Sequence, residues 1–460
     1  VKKLLVLAIL VGLVALLIPI TNYFYTPVEP GVLGSLGGSE AQFSKVASIL
    51  EQKCAACHTE GADLPFYAEL PVVGTMVEQD LLSGMKHMDM VAALTPPDGR
   101  TVISEATLAK IEHVIEQGSM PPAHFLMMHW NGGLSNTERQ LIKNWISKLR
   151  RDHYSAAEVT AEFELEPVQP LPESVALNEA KVGLGNRLYH DTRLSGDNSV
   201  SCATCHDLAK GGTDQAPTST GIGGAIGPIN APTTYNSGLI LRQFWDGRAA
   251  DLEEQAAGPV HNPIEMGSNW DEVIPKLEED VEYVKAFAAL YPDQGMTGDS
   301  IVDAIAEFER SLITPDSRFD RFLKGDPEAI TEQELQGYEL FKSIGCTNCH
   351  VGAALGGQSF ERMGLKEDYF ADRGDVKEVD SGLFNFTGKE SDRFKFKVPT
   401  LRNIAVTYPY FHDGRTDNLK DAVVIMSKYQ EGRLLTDEQA DLVVAFLKTL
   451  TGEYEGEPLQ

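Results

Sequence analysis

Cys54-Ala55-Ala56-Cys57-His58, Cys202-Ala203-Thr204-Cys205-His206 and Cys346-Thr347-Asn348-Cys349-His350 together use every cysteine in this 460-residue chain. Two thiols three positions apart can each bond a vinyl group of one porphyrin, while the adjoining histidine coordinates the iron. A structural zinc site or a dithiol redox pair does not call for a histidine directly after the second cysteine in all three copies. The pattern predicts three covalently attached haems c, with His58, His206 and His350 as iron ligands.

The motifs start at 54, 202 and 346, intervals of 148 (202 minus 54) and 144 (346 minus 202). That spacing predicts a mainly α chain of three cytochrome c-like haem domains in tandem, over 39–154, 174–328 and 329–460. Each begins with a helical apolar stripe: Phe43, Val46 and Leu50; then Val182, Gly185 and Tyr189; then Leu335, Tyr338 and Phe341. Closing stripes recur at Leu141, Ile142, Trp145, Ile146 and Leu149, at Ile301, Ile305, Phe308 and Leu312, and at Leu442, Val443, Phe446, Leu447 and Leu450. Residues 155–173 carry five glutamates and three prolines with no basic residue, and read as a linker. Residues 27–38 read as another.

Lys2 and Lys3 precede an apolar run from Leu4 to Ile20, followed by Asn22, Tyr23, Phe24 and Tyr25 in place of a small-x-small cleavage site. The expectation is a transmembrane anchor over 1–26, a single-pass protein of a bacterial inner membrane with its haem domains in the periplasm. The formal charge of -28 excludes a phosphate-binding surface and hence nucleic acid as a partner. It suits either a solvated acidic surface or the steering of a basic redox partner.

The sixth iron ligands divide the labour, because a haem with two strong ligands carries electrons and one with an open position can bind a small molecule. Met120, in Gly118-Ser119-Met120-Pro121-Pro122, is expected to pair with His58, against competitors His124, Met127, Met128 and His129. Met426 is expected to pair with His350, with His412 as its competitor. After His206 the glycine-rich stretch 218–227 offers no histidine or methionine and has Ile222 at its centre, so this iron is expected to be open.

Residues 175–455 resemble the bacterial di-haem cytochrome c peroxidases. The resemblance rests on Asn230-Ala231-Pro232-Thr233, Phe244-Trp245-Asp246-Gly247-Arg248-Ala249, Asn262-Pro263-Ile264-Glu265-Met266 and Tyr410-Phe411-His412-Asp413-Gly414. With its extra N-terminal motif and apolar run, the whole chain is similar to the tri-haem, membrane-bound quinol peroxidases. The resemblance implies reduction of hydrogen peroxide at a peroxidatic haem in 174–328, fed by an electron-transfer haem in 329–460. It implies catalytic roles for Gln255 and Glu265, Trp245 between the two haems, and a calcium ion held by Asn230, Thr407 and Pro409. Membrane quinol or a small cytochrome c would be the donor. Many relatives carry a blocking histidine where Ile222 stands, so this chain should need little reductive activation. A protein-modifying oxygenase of the same fold would have tyrosine in place of Met426, and a plain electron carrier would have all three irons six-coordinate.

Overall fold

A computed structural model describes residues 16–17, 19–23, 31–36, 41–61, 64, 66–71, 73–96 and 102–460. The chain is mainly α and divides into two compact units, 1–154 and 155–460. The second and third motifs therefore share one unit, which corrects the expectation of three tandem haem domains. The expected transmembrane helix is corrected as well: among the described residues no helix is long and apolar enough to cross a membrane. Spanning a bilayer takes about 20 apolar residues. Most of the run from Leu4 to Ile20, residues 4–15 and Ile18, lies outside the described residues.

In the first unit the helix Ala41–Lys53 leads into the motif and the helix Asn136–His153 closes it. Ser135 and Glu138 form a capping box that starts the closing helix cleanly. The two helices share a core of Val46, Leu50, Ile142, Trp145 and Ile146, with the rings of Phe43 and Trp145 5.8 Å apart. Within the expected linker 27–38, Val32–Ser35 forms a 3-10 turn whose Leu33 is buried in this core.

The second unit uses one helix-crossing device twice. The helices Glu179–Tyr189 and Gly298–Ser311 pack so closely that a Cβ on Gly185 would lie 1.9 Å from the Ala304 carbonyl oxygen. The helices Glu332–Ile344 and Asp437–Lys448 repeat this, with a Cβ on Gly337 falling 2.0 Å from the Leu442 carbonyl oxygen. Such approach of two backbones is open only to glycine. Around the second crossing, Tyr338, Phe341, Val443 and Phe446 are buried together.

The two halves are tied into one body by polar groups that each needs from the other. Thr314 Oγ1 accepts from both Asn236 Nδ2 and Asn403 Nδ2, each at 2.9 Å. Tyr454, near the C-terminus, returns to set its ring 5.2 Å from that of Tyr235. The expected linker 155–173 is part of this body too, because its apolar residues pack and one of its carboxylates is bonded into it. Val168 and Leu171 are fully buried, and Tyr338 donates to the Glu166 carboxylate. Arg402, itself fully buried, donates to the Gln169 carbonyl at 2.9 Å and pairs with the buried Asp320 at 2.8 Å.

Gly337→Ala should lower the stability of the second unit by about 1–3 kcal/mol through forced separation of the helices. Denaturant unfolding of the haem-loaded protein, compared with Gly183→Ala, a helical glycine where a Cβ meets open space, measures it.

Candidate functional site

Each motif follows a helix or tight turn that delivers its histidine ring to a backbone carbonyl. His58 Nδ1 lies 2.9 Å from the Met88 oxygen, His206 Nδ1 3.4 Å from Gly212 and His350 Nδ1 3.1 Å from Leu355. A carbonyl can only accept, so each Nδ1 carries the proton and each Nε2 is left as the metal-binding lone pair. Burial lowers the pKa of His206, and that of His350 to about 4, which keeps both rings neutral as ligands require. No cysteine is in a disulfide. Burial pushes the Cys54 and Cys202 thiols up to about 12, the reverse of the depressed values of reactive dithiol pairs. The donor set thus fits covalent haem.

At the third motif the fit extends to a whole cavity, lined by Cys346, Cys349, His350, Met426 and Trp245. Met426 stands on the helix Leu419–Glu431, so two residues expected as ligands from distant parts of the chain line one cavity. Asn230, Thr407 and Pro409 line the same cavity. Trp245 Nε1 donates to the Asn230 carbonyl at 2.9 Å, and Asn230 Nδ2 donates to Ala216 at 3.0 Å. Among the described residues no three His, Cys, Asp or Glu side chains converge on a metal site. A cation beside Asn230 would therefore rest on amide and carbonyl oxygens, which suits calcium.

His412 is held by a network that sequence reading missed. Its Nε2 lies 2.7 Å from Asp380 Oδ1, and its ring stacks on Phe396 with centroids 4.4 Å apart. Asp380 is gripped by Arg373 and by the Lys377 N–H, and Arg373 also reaches Asp413. Nothing local in the sequence marks Asp380, which sits 32 residues from its histidine.

Around the second motif, the loop and the expected catalytic carboxylate are built as one piece. Ile222 N–H donates to the Glu265 carbonyl at 2.8 Å, and a Cβ on Gly221 would come 2.1 Å from the Ile264 oxygen. The Ile222 side chain packs toward Gly196 and Gly267. Glu265 Oε1 accepts from Asn262 Nδ2 at 2.7 Å, a partner whose signal was present in the quoted Asn262–Met266 motif. Burial raises the Glu265 pKa, against the opposing pull of Arg248 and Asn262. Gln255 stands on the helix Leu252–His261 that runs into this turn, and its Oε1 is buried with no hydrogen-bond partner among the described residues.

In the first unit, Met120 follows the left-handed Gly118 that ends the helix Glu105–Gln117 and is 37% exposed. The competing histidines are engaged elsewhere. His124 Nε2 pairs with Asp80 at 2.8 Å, and His129 meets Tyr67 Oη at 2.6 Å through Nε2 and the Phe125 carbonyl through Nδ1. Met127 and Met128 lie on the helix Ala123–Met128, with Met127 well exposed.

Asp380 gives a pH signature. Burial opposes its ionisation, but Arg373, the Lys377 N–H and His412 outweigh that and bring its pKa down to about 2. Its stabilisation is therefore complete above the unfolded value near about 4 and is lost as pH falls through about 2. The stability gap between wild type and Asp380→Asn should shrink on acidification across that window, as measured by denaturant unfolding at stepped pH.

Two family models match the chain: a haem-binding domain over residues 35–148 and the di-haem cytochrome c peroxidase family over residues 179–328. The cytochrome c peroxidase Ccp of Escherichia coli K12 is 46% identical over 413 residues, covering 89% of this chain and 88% of that protein. The cytochrome c551 peroxidase of Nitrosomonas europaea is 46% identical over 288 residues, 63% of this chain and 85% of that protein. A solved MauG-like protein associated with microbial copper homeostasis superposes with a TM-score of 0.55 at 31% identity, over 62% of this chain and 95% of its own. Motifs, fold and relatives agree that this chain is a haem peroxidase belonging to the di-haem cytochrome c peroxidase family.

Proposed function

We propose that the protein reduces hydrogen peroxide to two waters with two electrons and two protons, using three haems c and a structural calcium ion. The haems would be held by Cys54, Cys57, His58 and Met120; by Cys202, Cys205 and His206; and by Cys346, Cys349, His350 and Met426. Calcium would be held by Asn230, Thr407 and Pro409. Bound there, the haems supply stored electrons and, at the His206 site, an iron with a position free for peroxide.

The observation that carries this reading is the join between Ile222 and Glu265. A loop with no ligating side chain is fastened by its backbone to the main-chain carbonyl of the residue whose carboxylate must move a proton. Glu265 takes the proton from the inner peroxide oxygen and returns it to the outer one, so that the outer oxygen departs as water. Its raised pKa favours a group that both accepts and donates. The unpartnered Gln255 Oε1 is an acceptor for the peroxide O–H and orients it for this exchange. Trp245, hydrogen-bonded to Asn230 at the wall of the third site's cavity, would carry electrons from that site to the second.

The donor in this reading is a small basic cytochrome c. The formal charge of -28 supports it through long-range attraction. Two measurements test the proposal. Glu265→Gln should lower turnover by about 10²-fold or more with all three haems retained, and full turnover in that variant would overturn the role. Wild-type protein as isolated should show a high-spin haem, and reduced cytochrome c should outrun a reduced quinol analogue as donor at matched peroxide. Faster turnover with the quinol would transfer the donor role to it.

A further inference from the structure

Lys397 ends a short strand, Lys395–Lys397, that pairs antiparallel with Phe360–Arg362. Its backbone is fixed by N–H donation to the Trp245 carbonyl at 2.9 Å. Its neighbour Phe396 is stacked on His412. The side chain is only 6% exposed, and it lines the cavity of Cys346, Cys349, His350 and Met426. Among the described residues its ammonium makes no hydrogen bond or ion pair. The carboxylate that influences it, Asp246, is already engaged by Arg248 at 2.9 Å.

A buried, unpaired ammonium is costly, and the cost is relieved either by loss of the proton or by an anion that pairs with it. Burial accordingly pushes its pKa down to about 8, with Asp246 opposing. No other lysine or arginine lines this cavity. The other lining imidazoles have duties of their own, His350 toward iron and His412 toward Asp380. Glu361 and Glu431 line the same cavity, but among the described residues neither pairs with Lys397, whereas a haem attached at Cys346 and Cys349 brings two carboxylates of its own.

We propose that Lys397 is the counter-ion of a propionate on the haem attached at Cys346 and Cys349, and that this ion pair positions the acidic edge of that haem beside Trp245. The proposal rests on the three-haem reading above. It gives Lys397 two effects. A fixed positive charge at the haem edge favours the reduced form, which carries one more electron, and so raises the reduction potential of that haem. The same contact ties the haem to the residue whose carbonyl holds the strand in place.

The test uses the full haem-loaded chain as wild type, Lys397→Met and Lys397→Arg, with haem count read from intact mass and potentials from optical redox titration. Lys397→Met should shift the potential of the methionine-ligated haem of the second unit downward while leaving the other two in place, and Lys397→Arg should stay near wild type. An unshifted potential in Lys397→Met with three haems attached would overturn the proposal, as would an equal shift of all three. If Lys397→Met fails to load its haem, a crystal structure of the wild-type holoprotein decides. Nζ within about 4 Å of a propionate oxygen supports the pair, and Nζ on chloride, water or protein alone overturns it. A wild-type count of two haems would instead defeat the three-haem reading.

Discussion

A histidine that ligates iron must present one nitrogen to the metal and have the other held still, and the chain around all three motifs holds Nδ1 in the way this requires. In the second and third, the carbonyl that holds Nδ1 comes from six and five residues later, Gly212 and Leu355, so the loop after the motif closes on itself. In the first, the carbonyl is Met88, thirty residues on. The local closures need the left-handed residues Gly211, Gly212, Gly352 and Leu355. The distant one leans on the fold of the first unit instead. One coordination rule is thus met by two different architectures, one for each compact unit.

The second unit then makes its two halves unequal by what it sets opposite each histidine. Opposite His350 the chain supplies a cavity with a methionine, a tryptophan and a buried lysine. Near His206 it supplies a glycine-rich loop fastened to Glu265, whose own carboxyl is steadied by Asn262. The same helix crossing, through Gly185 and Gly337, underlies both halves. Their difference therefore lies in the segments hung on a shared frame.

What could be read in the sequence follows from how local each signal is. The attachment motifs are five-residue statements of chemistry, and the stripes around Gly185 and Tyr338 follow helical period. The family was legible because several short motifs stood in order. Partners far apart in the chain were not legible. Asp380 reaches His412 across 32 residues, and Tyr338 reaches Glu166 across 172. Residues 155–173 looked like a linker because composition counts their glutamates and prolines. Burial of Val168, Gln169 and Leu171 depends on neighbours that composition does not see. The apolar run at the start suggested a membrane span, yet among the described residues no helix is long and apolar enough to cross one.

Arg402 shows where the peroxidase unit truly begins. Its guanidinium donates to Gln169, Ala353 and Ser317 and pairs with Asp320, so three separate stretches close around one fully buried charge. Removing one partner of such a charge costs far more than the contact itself contributes, because the remainder is stranded away from water. Anyone excising the catalytic half at residue 179, where similarity to the peroxidase family starts, would discard Gln169 and leave part of that charge unanswered. A piece that starts at 155 keeps all of these partners, with the acidic, proline-rich stretch ahead of the helix Glu179–Tyr189 as its foundation.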